Sequence, residues 1–184
     1  DQAVVISPAY DHRHYGTEFC EPCKNERFNI CDASATVGLN APGGGFCNET
    51  VVKAMNCIPL PPNVSLKAAA LIEPLAIARH SITTSGFEKG QSVLICGAGP
   101  IGLAILLLLR VRGASKVIVT EVLDSRIQQA RDFGADVVIN PMKTTETLGL
   151  SAEEAIQSHV KGGVDIAYDC IGFQSTLDLS IASV

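Results

Sequence analysis

The chain has little positive charge: 14 Lys and Arg stand against 19 Asp and Glu in 184 residues, a formal net charge of −5 at pH 7. No basic stripe is present to neutralise phosphates, which excludes nucleic-acid binding as the main task. Charged residues of both signs reach only 18% while apolar residues reach 47%, so the composition excludes disorder and provides for a packed core. Internal repeats and low-complexity segments are missing as well. The sequence starts at Asp1 without a Met and shows no charged-then-apolar leader, so no signal peptide is expected. One charge-free run, Gly90 to Leu109, has the length of a bilayer span, but Gly97, Gly99, Pro100 and Gly102 interrupt it. Pro100 cannot continue a helix from Cys96, and a helix from Ile101 to Leu109 reaches roughly 14 Å, about half a hydrocarbon core. A membrane span is excluded on that ground. Seven Cys is an odd number, and their placement suits metal ligation in a reducing, cytoplasmic setting better than a disulfide framework.

The most informative residues are Val93-Leu94-Ile95-Cys96-Gly97-Ala98-Gly99-Pro100-Ile101-Gly102. Four apolar residues read as a buried parallel strand, and G-x-G-x-x-G follows at once, opening an apolar helix. Gly97 permits the tight turn, Gly99 lets backbone approach a pyrophosphate, and Gly102 lets the helix pack close to the sheet. The helix N-terminus, including Pro100 and Ile101, presents a positive dipole end and unpaired N–H groups to the phosphates. A second strand, Lys116 to Thr120, ends in Glu121, whose carboxylate suits a ribose diol and repels a 2′-phosphate. Strand, turn, helix, strand and acid in that order point to a dinucleotide, and Glu121 points to NAD over NADP.

Along the chain, residues 1–60 read as strand and loop, and residues 61–184 as alternating helices and strands, with the shift at Ile58-Pro59-Leu60-Pro61-Pro62. In the first part, Ala3 to Ile6 reads as a strand, Tyr10 to Asp32 as a polar loop, and Phe46 to Lys53 as a half-buried strand after Gly43-Gly44-Gly45. In the second, Ser65 caps a helix over Leu66 to Ile72, and Pro74 opens one that runs to about Ser85. Strands over Val93 to Cys96, Val117 to Glu121, Val137 to Ile139 and Val164 to Tyr168 alternate with helices. Right-handed crossovers then order these strands 3-2-1-4 in a doubly wound parallel α/β sheet. A complete fold of this kind has six strands, so the chain is expected to be an internal piece of a longer protein.

Cys20-x2-Cys23-x7-Cys31 lies in the polar loop with few large apolar neighbours, a setting that needs a staple. Three thiolates suit tetrahedral zinc, which requires a fourth ligand, and His12, His14 and Thr17 all lie close upstream. Three free cysteines without metal are the bland alternative. Glu73 lies between Leu71, Ile72 and Leu75, an expensive place for an unpaired carboxylate, and Pro74 pushes it away from helical geometry. A metal would offset that cost, and so would N–H groups of the following helix. Cys96, Cys47 and Cys57 read as small core hydrophobes, and His80 as a core or helix-face residue.

Taken together, the cysteine lobe, Gly43-Gly44-Gly45-Phe46, Ala70-Leu71-Ile72-Glu73-Pro74-Leu75-Ala76 and Cys96-Gly97-Ala98-Gly99-Pro100-Ile101-Gly102 resemble the zinc-containing medium-chain dehydrogenases, above all their butanediol and sorbitol branch. The resemblance implies a GroES-like β domain joined to a Rossmann domain, with NAD between them, a small alcohol or polyol as substrate, and a dimer or tetramer. It implies a structural zinc at C-x2-C-x2-C-x7-C, of which this chain matches the last three cysteines and has Thr17 in place of the first. A Cys3His centre completed by His12 or His14 is therefore the expectation. By the same resemblance Glu73 lies beside a catalytic zinc, Arg126 belongs to the cofactor site, and Cys170 sits at the strand edge where the cofactor binds. The family's other catalytic ligands include a His-Glu pair, which does not occur here, so the 184 residues alone are expected to be inactive. A zinc-free reductase of the quinone reductase type and a non-catalytic dinucleotide-binding module are the rival readings.

Overall fold

The computed structural model describes residues 2–184, and the chain divides into two compact units, Asp1–Ala70 and Leu71–Val184. The units part ten residues beyond the proline-rich shift. Two features of the first unit explain this. Ile58-Pro59 is itself strand, and the helix capped by Ser65 falls in the first unit.

In the first unit, β1 (Val4–Ile6) pairs antiparallel with β4 (Cys57–Pro59), while β2 (Ala9–Tyr10) pairs antiparallel with β3 (Ala35–Thr36). Val4 lies opposite Pro59, a place in a two-stranded ribbon where a missing N–H does no harm. The expected loop from Tyr10 to Asp32 contains two four-residue helices, α1 (His12–Tyr15) and α2 (Glu21–Lys24). A last short helix, α3 (Leu66–Ala69), is capped by the Ser65 hydroxyl, which accepts from the Ala68 N–H at 3.1 Å. Phe46 to Lys53 is not a strand. Phe46 and Val51 stand in solvent, and the segment after three glycines has no partner strand to make its alternation count. Cys47 is exposed and Cys57 half-buried, so the core reading fails for Cys47.

The second unit opens with α4 (Ile72–Thr84) and then alternates strand and helix. Its elements are β5 (Ser92–Cys96), α5 (Pro100–Arg112), β6 (Lys116–Thr120), α6 (Asp124–Asp132) and β7 (Val137–Ile139), followed by α7 (Pro141–Leu148), α8 (Ala152–Gln157), β8 (Ile166–Asp169) and α9 (Gln174–Ala182). All four strands are parallel in the order β7-β6-β5-β8, the 3-2-1-4 arrangement read from the sequence. Every residue of β5 is buried, as a central strand covered on both faces requires. Val93 and Ile95 face one cluster with Leu106 and Leu109 of α5, and Leu94 and Cys96 face the other with Ile118 and Ile156. Each fully buried aliphatic side chain of this kind stabilises the fold by about 1.5–3 kcal/mol.

Helix ends follow local chemistry. Gly113 ends α5 in the left-handed conformation, and Ser151 with Glu154 forms a capping box on α8. The helix α7 was not expected, although Asn140 caps it through the Met142 and Lys143 N–H groups and Pro141 fills its first position. Among the described residues no helix is long and apolar enough to cross a membrane.

Candidate cofactor cleft and candidate metal centre

At the carboxyl ends of the parallel strands, a cleft of about 840 Å³ is lined by Gly97, Gly99, Glu121, Arg126, Cys170 and parts of α7, α8 and α9. The three glycines of the turn do three different things. Gly97 has φ +97°, and a Cβ there would come 2.7 Å from Ile171 Cγ1. A Cβ on Gly102 would come 1.9 Å from the Gly97 carbonyl oxygen, so the helix sits on the turn with no room for a side chain. Gly99 has ordinary φ −73°, and a Cβ there would meet nothing within 4 Å. Its side faces open space, the kind of surface a phosphate group can reach. Pro100 fills the first position of α5, and Leu103 is the first residue to donate back, to the Gly99 carbonyl at 2.9 Å. Ile101 and Gly102 therefore lie in the helix turn whose N–H groups lack intrahelical partners.

Glu121 is only 5% exposed, and its carboxylate is already held. Oε2 accepts from the Ala98 N–H at 3.0 Å, and Oε1 accepts from Val122 and Leu123 N–H at 2.7 and 3.0 Å. Arg126 Nη1 lies 3.9 Å from Oε2, with nearly half its side chain exposed. Burial by itself raises the carboxyl pKa, but the donated bonds from Leu123, Ala98 and Val122 and the Arg126 charge outweigh it and hold the group below its ordinary value. The three backbone bonds were not foreseeable from spacing.

Across the cleft, Asp169 shapes the turn after β8. Its Oδ1 accepts from Ile171 and Gly172 N–H at 2.9 and 3.1 Å, and its Oδ2 accepts from the Thr176 hydroxyl at 3.1 Å. Cys170 lies in that turn with its thiol pushed up to about 12, chiefly by burial and further by the charge of Asp169. It is a neutral wall residue in this setting rather than a nucleophile. Cys96 is fully buried in β5, as expected.

Glu73 does not lie where the sequence argument placed it. The break between helices falls at Ala70 and Leu71, and Glu73 sits in the first turn of α4 with Pro74 behind it. A proline is tolerated in a first turn because its N–H has no partner there. Glu73, Leu71 and Ile72 are all exposed in the second unit, so burial imposes no cost on the carboxylate. Likewise, His80 is an exposed residue of α4 with Nε2 3.5 Å from the Thr84 hydroxyl.

In the first unit, the ligand atoms of His12, Cys20, Cys23 and Cys31 all lie within 4.8 Å of one another. Cys23 and Cys31 are buried. Burial raises the Cys20 thiol, but donors from Asp32, Cys23 and His12 prevail and bring it down to about 7. The Cys23 thiol is pushed up to about 12 by burial and by sharing protons with Cys31 and Cys20. Three sulfurs and one imidazole nitrogen at this spacing form a donor set suited to tetrahedral zinc. His14 stands outside it. Its Nδ1 accepts the Asp11 N–H at 3.0 Å, its ring stacks on Tyr10 at 4.7 Å, and Asp11 in turn caps α1.

Comparison with known proteins gives a consistent result. Residues 100–184 match the family described as zinc-binding dehydrogenase. The chain is 38% identical over 174 residues to (R,R)-butanediol dehydrogenase of Saccharomyces cerevisiae, an alignment covering 94% of this chain and 44% of that protein. Among solved structures, 2R,3R-butanediol dehydrogenase of Bacillus subtilis superposes with TM-score 0.83 at 28% identity, over 100% of this chain and 48% of the other. A protein of Sinorhizobium meliloti 1021, solved bound to NADP, superposes with TM-score 0.81 at 26% identity, over 100% and 51%. The chain thus spans about half the length of the relatives it matches.

Proposed function

We propose, from the match of residues 100–184 to the zinc-binding dehydrogenase family, that the chain serves an oxidoreductase moving hydride between a secondary alcohol, such as a vicinal diol or sugar alcohol, and NAD. The observation that carries the reading is the open side of Gly99 beside the buried acid Glu121 at the carboxyl edge of a parallel sheet. When bound, the nicotinamide ring accepts hydride and a catalytic zinc lowers the pKa of the alcohol.

This chain's own residues then have defined tasks. The amides of Gly99, Ile101 and Gly102 receive the pyrophosphate. Glu121 accepts from the adenosine ribose diol and repels a 2′-phosphate, and Arg126 covers the adenine side. Cys170 and the Asp169 turn close the other wall. Cys20, Cys23 and Cys31 hold a structural zinc that staples their loop. Glu73, exposed in the first turn of α4, would lend its carboxylate to a catalytic zinc directly or through water, a role that rests on the family likeness and not on burial. A dimer or tetramer in the cytoplasm completes the proposal.

The NADP-bound neighbour leaves the choice of coenzyme to this chain's own residues, and Glu121 favours NAD. Calorimetric titration of the purified protein with NAD and NADP tests the reading. Saturable binding of NAD with weaker NADP binding is the expected result, and no heat with either coenzyme removes the proposal. Oxidation of diols and sugar alcohols by the full-length protein, compared across a panel, tests the substrate class.

A further inference from the structure

We propose that His12, through Nδ1, is the fourth ligand of the zinc in the cysteine lobe, so that the ligand has moved from position 17 to position 12. The inference rests on reading the lobe as a zinc site and goes beyond it by assigning a donor that the C-x2-C-x2-C-x7-C pattern does not contain.

The geometry selects one histidine of two. His12 Nδ1 lies 3.1 Å from Cys31 Sγ and accepts the Cys20 backbone N–H at 3.4 Å, a long contact that a metal ion between the ring and the sulfurs would replace. A tetrahedron with Zn–S of about 2.3 Å and Zn–N of about 2.0 Å has edges of roughly 3.5–3.8 Å, within reach of this cluster by small side-chain shifts. Local structure explains the placement. His12 is the first residue of α1, whose start is fixed by Asp11 and whose end is fixed by Gly16 in the left-handed conformation at φ +66°. The chain therefore reverses after one turn and brings Cys20 back against the His12 ring. His14, two residues on, stacks on Tyr10 and is not among the residues whose ligand atoms gather within 4.8 Å of one another. Thr17 is exposed, and a neutral hydroxyl is a poor zinc donor beside three thiolates.

Chemically, the substitution replaces a thiolate by a neutral imidazole. Zinc with three thiolates and one imidazole carries a formal charge of −1, where four thiolates would leave −2. Nδ1 ligation also leaves Nε2 to carry the ring proton, and a partner there would orient the ring.

The test uses the purified protein with metal analysis and Co2+ in place of zinc. The wild type is expected to take up Co2+ with tetrahedral d–d bands and thiolate charge-transfer absorption. His12→Ala should weaken Zn2+ binding by more than about a hundredfold, because even outer-shell partners are worth about 10–100-fold. His14→Ala should keep the wild-type Co2+ spectrum. His12→Ala with Thr17→Cys should bind again, with bands moved to longer wavelength and stronger charge transfer, as a fourth thiolate requires; this variant separates loss of a ligand from loss of the fold. Unchanged Zn2+ affinity and an unchanged Co2+ spectrum in His12→Ala would overturn the assignment. A wild type that binds neither metal overturns it together with the zinc reading of the lobe, while NAD titration of the same sample reports separately on the dehydrogenase reading.

Discussion

The Ala98 N–H donates to Glu121 Oε2 at 3.0 Å, so the acid at the end of β6 is tied directly to the glycine-rich turn after β5. One carboxylate thereby ties the end of β6 to the turn that follows β5. The same group is the one proposed to read the coenzyme ribose. Glu121→Ser removes the negative charge that repels a 2′-phosphate and should move the ratio of NADP to NAD affinity up by roughly tenfold or more. It also leaves three backbone N–H groups short of a partner, at about 1–3 kcal/mol for a buried unsatisfied donor. Calorimetric titration with both coenzymes and a denaturant curve measure the two effects separately; an unchanged affinity ratio refutes the assignment of Glu121.

The acid stability of the second unit should carry the signature of the same residue. The folded pKa of Glu121 is lowered from 4.5, so its contribution is present in full above pH 4.5 and fades as pH falls through the lower folded value. Glu121→Gln keeps an acceptor oxygen but removes the charge. The stability gap between wild type and this variant should be constant near neutrality and shrink below about pH 4.5. Urea unfolding at a series of pH values checks this, and a gap that widens on acidification would contradict the sign.

Two glycines of the same turn should separate folding from binding. At Gly102 a Cβ would sit 1.9 Å from the Gly97 carbonyl oxygen, which forces α5 off the turn. Gly102→Ala should lose about 1–3 kcal/mol or more of stability, the usual range for overpacking. At Gly99 a Cβ meets nothing within 4 Å and the backbone is ordinary, so Gly99→Ala should melt with the wild type. Its methyl group would occupy the approach to the pyrophosphate, and NAD affinity should fall by roughly tenfold. If Gly99→Ala binds NAD normally, the phosphates do not rest there.

How much of this was legible in the residues depends on how local the signal is. Strand β5, the turn and α5 declare themselves because a buried parallel strand is an unbroken apolar run and each glycine marks a backbone demand within ten residues. The ladder order follows from right-handed crossovers taken with the strand order of the doubly wound fold. Phe46 to Lys53 misled because alternation makes a strand only where another strand is available to pair. Glu73 misled because Pro74 reads as the first residue of its helix, which leaves Glu73 at a break, whereas the helix begins at Ile72 and takes an exposed Glu73 into its first turn, where the argument from burial has no force. Asn140-Pro141 carries the start signal of α7, a capping side chain followed by a first-turn proline. Choosing between His12 and His14 needs three dimensions, since spacing treats them alike and only the fold sets the His12 ring against the sulfurs and the His14 ring against Tyr10.

Asp11 provides the counterpart test in the first unit. Its carboxylate accepts from the Arg13 backbone N–H at 2.9 Å and is gripped by the guanidinium, with Nη2 at 2.6 Å; the guanidinium in turn lies 3.6 Å over the Phe28 ring. The Arg13 side chain holds the Asp11 carboxyl down at about 2, from an ordinary 3.8, against the opposing effect of burial. The stabilisation is therefore complete above pH 3.8 and disappears as pH falls through about 2. Asn is as good a helix cap as Asp, so Asp11→Asn keeps the start of α1 and removes only the charge. At neutral pH the variant should be less stable by about 1.5–3 kcal/mol, the range for a charge-assisted bond. Between pH 4 and 2 the two proteins should converge, because any zinc release by acid is common to both and cancels in the difference. Because the cap fixes where α1 begins, the variant should still place His12 against the cysteines and bind Co2+ with the wild-type spectrum. A stability gap that persists unchanged to pH 2 would show that Arg13 does not act through the Asp11 charge.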